Sequence, residues 1–165
     1  MTESTQKLIS ALREELQNYG EMLALLDRQQ SSIVTRASHE VFQSISVIKA
    51  QSDAIQAARA AREDCKRAAA EALAQAPDIS FSDLITAMPP DFRPLLKALV
   101  DENNQLLVRV RQRARQNHLL LHRSVELMQG VINTLFPTRN GSVYNEHGGL
   151  AADAAAARRL CNAIG

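Results

Sequence analysis

Apolar side chains in the first third of the chain recur at a regular interval. Leu12, Leu16, Tyr19, Leu23, Leu26, Gln30, Ile33 and Ala37 follow one another at alternating steps of four and three. That heptad spacing puts all eight side chains on one face of a helix. After Ala37 the series continues as Val41, Ile45, Ile48, Ser52 and Ile55, with two steps of four in succession. Such a step is either a stutter in one long helix or the start of a second. One unbroken helix of about 70 residues would be about 105 Å long and would expose its seam along most of that length. A break is therefore expected near Arg36–His39, with Ser38 as N-cap and Glu40 in the first turn beside the helix dipole. From Ala57 to Ala76 the chain is Ala-rich and charged. That stretch is expected to be helical, to bury less, and to project from the bundle.

Proline punctuates the middle. Pro77, Pro89, Pro90 and Pro94 bound a connector, and Pro137 marks a second stop. Within the connector Ser80 or Ser82 can cap a short helix over Asp83–Met88, anchored by Phe81 and Leu84. Pro94 suits the first turn of the next helix, with Asp91 as its expected cap. That last helix is expected from Arg93 to Phe136. Its stripe is Leu99, Asn103, Leu106, Val110, Ala114, Asn117, Leu121, Val125, Met128, Ile132 and Leu135. Leu107, Leu119, Leu120 and Leu127 widen the stripe, so two faces are apolar between Leu119 and Leu135. A helix in a small bundle needs one such face. Either the connector and tail cover the surplus, or a partner does. The fold class expected is all-α: an antiparallel bundle of three long helices plus a short connector helix. Residues 1–137 form the bundle domain. Residues 138–165 form a flexible tail, whose Ala-rich end is too short to make a strong helix alone.

Composition fits this pattern. The chain has 165 residues, enough for one core, and 45% are hydrophobic although only 4% are aromatic. Ala, Leu, Gln, Glu and Arg, all strong helix formers, dominate. The net charge is +1, from 19 basic and 18 acidic residues, which argues against nucleic acid as the main partner. No apolar run is long enough to span a membrane, and no signal peptide is read at Met1-Thr2-Glu3. Cys65 and Cys161 lie far apart outside any CxxC, as reduced thiols would. The expected location is the cytoplasm.

Candidate chemistry is thin. His118, His122 and Glu126 share a helix face, but Leu119 stands where a zincin carries Glu, and Arg115 and Arg123 flank the group. No metal is expected. Arg109, Arg111, Arg113 and Arg115 alternate and so split between two faces, without interleaved aromatics for base stacking. Cys65 has basic neighbours and no identifiable His partner. No Gly-rich phosphate loop or GxSxG motif occurs, so neither a catalytic residue nor a cofactor is expected. Asn103 and Asn117, two heptads apart on the apolar stripe, remain open. They either set register inside the bundle or hydrogen-bond an incoming chain.

Asn103-Asn104, Leu106-Leu107 and Gln116-Asn117-His118-Leu119-Leu120 together resemble the C-terminal helix of FlgN-type flagellar chaperones. Leu127–Leu135 and Tyr144-x-x-x-Gly148 extend the likeness. Leu23-Ala24-Leu25-Leu26-Asp27 within Leu12–Leu26, and the segment Ile48–Arg62 ending in Arg59 and Arg62, resemble earlier parts of the same family. The resemblance covers most of residues 5–148. It implies a cytosolic chaperone that holds the C-terminal helical segment of hook-filament junction proteins. Its partners would be those proteins and the flagellar type III export apparatus. Leu106, Val110, Asn117, Leu121, Val125, Met128, Ile132, Leu135 and Tyr144 are then the expected partner-binding residues. The alternative is a homo-oligomeric coiled-coil scaffold built on the Leu12–Ala37 seam.

Overall fold

The structure, a computed structural model, describes residues 2–135. Among the described residues the elements are α1 (Thr2–Val34), α2 (Ser38–Ala72), α3 (Phe81–Ala87), a 3₁₀ turn (Pro90–Phe92) and α4 (Arg93–Leu135). No strand occurs among them, and the three long helices with a short connecting helix are as expected. The chain divides into two compact units, Met1–Arg123 and Ser124–Gly165. The tail expected over 138–165, and with it Tyr144, lies outside the described residues.

In the first unit α1 and α2 form an antiparallel hairpin. Moving back along α1 from Gln29 to Asn18 to Glu15, the partners on α2 advance from Ser44 to Gln51 to Arg62. α4 runs the opposite way to α2 and parallel to α1. Asn103 Nδ2 donates to the Leu12 carbonyl at 3.0 Å and Asn117 Nδ2 to the Leu26 carbonyl at 2.8 Å, each across 91 residues of chain. The two bonds sit two heptads apart and fix one register.

The core joins all four helices. Leu8, Ile9 and Leu12 of α1 meet Ala69 and Ala70 of α2, Leu84 of α3, Met88 after it, and Leu96 and Leu99 of α4. Each buried Leu or Ile contributes about 1.5–3 kcal/mol of transfer free energy. The Ala-rich end of α2 therefore does not project, contrary to expectation. Ala69 and Ala70 are themselves covered in this cluster, close against α1 of the hairpin.

Both hairpin corners close without glycine. At the first, Arg36 adopts φ 58°, its N–H donates to the Ile33 carbonyl, and Ala37 N–H donates to the Ser32 carbonyl. At the second, Ala74 adopts φ 54°, with Ala74 N–H on the Glu71 carbonyl and Gln75 N–H on the Ala70 carbonyl. These paired bonds are Schellman caps, which satisfy the last carbonyls of α1 and α2. The expected break near Arg36 is present. Ser38, however, is the first residue of α2 and not its cap: the N-cap is Ala37, which makes no side-chain bond. Glu40 instead accepts from Ser32 Oγ at 2.8 Å and ties the hairpin across its corner. Ser80 does cap α3, accepting from Asp83 N–H at 3.1 Å and donating to the Asp83 carboxylate at 2.7 Å. Asp91 falls inside the 3₁₀ turn that leads directly into α4.

Candidate partner-binding surface

The stripe of α4 changes character along its length. Leu96, Leu99 and Asn103 are buried, Leu106 and Val110 are half-buried, and Asn117 is buried again. Leu121 is half-buried near the end of the first unit. In the second unit Val125, Met128, Ile132 and Leu135 are 67%, 66%, 46% and 67% exposed. Steps of three, four and three place these four on one helix face. Leu127 and Val131, also exposed, lie beside them.

Asn117 belongs to the interior. It is 2% exposed, and its amide donates to the Leu26 carbonyl and to Gln29 Oε1 at 3.0 Å. Asn103 does the same with the carbonyls of Leu12 and Leu99. Both amide N–H₂ groups are thus spent within the chain.

Two features escaped the sequence reading. The first is a second exposed apolar group: Val34 at the end of α1 and Phe42, Ile45 and Val47 in the first turns of α2. Ile45, expected on the α2 seam, is more than half exposed. The other is a cleft of about 130 Å³ between α1 and α4, lined by Leu23, Arg109, Gln112, Arg113 and Gln116. Arg113 Nε lies 3.0 Å from Asp27 Oδ1, and the same guanidinium donates to Gln30 Oε1. Among the described residues no carboxylate pairs with Arg109. The signal for this cleft was present as the i, i+3, i+4, i+7 spacing of its α4 residues, but its α1 wall was not.

The buried polar centre of the hairpin is structural. Glu15 is 1% exposed and accepts from Tyr19 Oη at 2.8 Å and from Arg62 Nη1 at 3.0 Å. Burial, with the Glu15 bond second, pushes the Tyr19 hydroxyl up to about 12. The His118 and His122 rings stand 6.4 Å apart, and among the described residues no group of three or more His, Cys, Asp or Glu is placed to hold a metal. No helix of the described residues is long and apolar enough to cross a membrane.

The family model described as FlgN protein matches residues 1–152. No curated protein matches the chain, and no solved structure does.

Proposed function

The chain belongs to the FlgN family, which implies a flagellar export chaperone, and from that premise we propose a specific client and docking face. The protein holds the C-terminal helical segment of hook-filament junction proteins in the cytosol, prevents their premature assembly, and hands them to the export apparatus. The observation that supports this reading is the exposed row Val125, Met128, Ile132 and Leu135. A contiguous apolar row at i, i+3, i+7 and i+10 is the face that an amphipathic helix docks against. Each Å² it removes from water contributes about 25 cal/mol. Met128 adds an unbranched side chain that repacks around unlike partners, as more than one client requires. A client that must later be released calls for micromolar to nanomolar affinity, about −8 to −12 kcal/mol. Leu121 flanks the row, and Leu106 and Val110 offer their half-exposed edges further up α4. Asn117 contributes by holding α4 in register, and not by contact.

The test is a pull-down of C-terminal fragments of hook-filament junction proteins by the full-length chain. Ile132→Glu and Met128→Glu should each abolish capture while leaving the melting temperature unchanged. Undiminished capture by both variants would remove the docking face from this reading.

A further inference from the structure

We propose that the apolar row Val125, Met128, Ile132 and Leu135 is held by this chain's own tail, residues 150–164, until a client helix displaces it. The displacement, though not the tail contact itself, rests on the client-binding reading above.

The tail carries a seam that matches the row. Leu150, Ala154, Ala157, Cys161 and Ile164 follow one another at steps of four, three, four and three. In a helix those five share one face, which Asp153 borders and from which Arg158, Arg159 and Asn162 are absent. The row extends about 15 Å along α4, and residues 150–164 in a docked helix would extend about 21 Å, enough to cover it. Row and tail belong to the same compact unit, Ser124–Gly165. A segment this short and Ala-rich makes a marginal helix alone, so it is ordered by the surface it lies on and is readily displaced. A client helix with larger apolar anchors buries more area on the same row and takes its place.

Chain length and charge select this occupant and its direction. Residues 136–149, with Pro137, Gly141, Gly148 and Gly149, link the end of α4 to the seam. A flexible link of that length spans about 20 Å. Packed helix axes need only about 8–10 Å. A tethered segment meets the row at an effective concentration on the order of millimolar, which puts it ahead of a second copy of the chain. Glu126 carries the only charge on α4 from Ser124 to Leu135. With Leu150 level with Leu135 and the tail running antiparallel, Arg158 comes within one residue of the level of Glu126. With Leu150 level with Val125 and the tail running parallel, Asp153 comes within two. Opposite charges favour the antiparallel arrangement.

The antiparallel register puts Cys161 level with Ser124, eleven residues from each starting pair. Ser124 is exposed and lies on the apolar side of α4. Asn133, also exposed, is nine residues on and so half a turn round the helix. The test uses the full-length chain in a Cys65→Ala background, which leaves Cys161 as the one native thiol. Ser124→Cys or Asn133→Cys is added, and intramolecular disulfide formation under mild oxidation is followed by mass spectrometry. A free tether would favour position 133, which is nearer to Cys161 in sequence. A docked tail should instead close the bond from position 124 about tenfold faster. Fluorescent C-terminal helical peptides of a hook-filament junction protein then read the displacement by anisotropy. Leu150→Glu with Ile164→Glu should tighten peptide binding about tenfold, and the oxidised Ser124→Cys chain should bind only after reduction. Equal oxidation rates, or a faster bond from position 133, would overturn the tail contact whatever the peptides do. A selective bond with no gain in affinity from the tail variant would overturn the displacement. A selective bond with no peptide bound by any variant would uphold the tail contact and remove the client reading.

Discussion

Arg62 reaches across the α1–α2 hairpin to Glu15, its Nη1 lying 3.0 Å and 3.2 Å from the two oxygens of a carboxylate that is 1% exposed. The Arg62 guanidinium also lies 5.5 Å from the centre of the Phe81 ring on α3, and Lys66 Nζ lies 5.2 Å from it. One ion pair thus joins three helices. Removing Arg62 leaves the buried Glu15 carboxylate with only the longer Arg59 contact, 3.9 Å, and the Tyr19 hydroxyl. Arg62→Ala should cost about 3–5 kcal/mol in urea unfolding, whereas replacing both, as in Glu15→Leu with Arg62→Met, should recover most of that loss.

Tyr19 gives the fold a decline in strong alkali. Its hydroxyl is pushed up to about 12 from an unfolded value of 10.0. Between those values the unfolded chain gives up this proton and the folded chain keeps it. Stability from this group is therefore complete below the unfolded value and lost as pH rises through the folded one. Phenolate absorbance should show Tyr19 ionising late in a Tyr144→Phe background. Tyr19→Phe should be less stable at neutral pH and should lose stability less steeply in alkali than the wild type.

The two hairpin corners hold left-handed residues that carry a Cβ, Arg36 and Ala74. Such a conformation costs a non-glycine residue about 1–2 kcal/mol. Glycine removes that cost and returns part of it as unfolded-chain entropy. Arg36→Gly and Ala74→Gly should therefore each stabilise by about 0.5–1 kcal/mol, raising the calorimetric melting temperature by about 2–4 °C.

Asn103 and Asn117 are two locks of the same kind, with no shared partner and about 21 Å of helix between them. Their alanine substitutions should each destabilise by about 1–2 kcal/mol and should add to within about 0.5 kcal/mol. Asn117→Ala should still capture clients with wild-type affinity, because its amide is directed at Leu26 and Gln29.

Much of this architecture was legible because it rests on local rules. The α1 seam, the Ser80 cap and the course of α4 follow from periodicity, a hydroxyl three residues before Asp83, and proline. The rest was set by tertiary packing. No residue type announces a left-handed corner at Arg36 or Ala74, since the first is set by the turn from α1 into α2 and the second by the turn from α2 toward α3. Ala69 and Ala70 looked like a solvated stretch until α3 and α4 supplied neighbours to cover them. The burial of Glu15 was not read from the sequence, because the arginine that pairs with it, Arg62, lies 47 residues away. For the binding surface, the excess of apolar positions after Leu119 was visible in sequence. Whether Asn117 faced a client or α1 was not, because its partners lie 88 and 91 residues back.

The shared offset of 91 residues also says where the chain tolerates a change of length. A residue inserted between Ala72 and Phe81 alters that offset at both locks equally and leaves the amides facing their carbonyls. A residue inserted between Leu12 and Leu26 turns the helix by about 100° between the locks, so one amide must let go. Insertions and deletions in related chains should therefore collect in the α2–α3 link and spare the fourteen positions that act as a ruler.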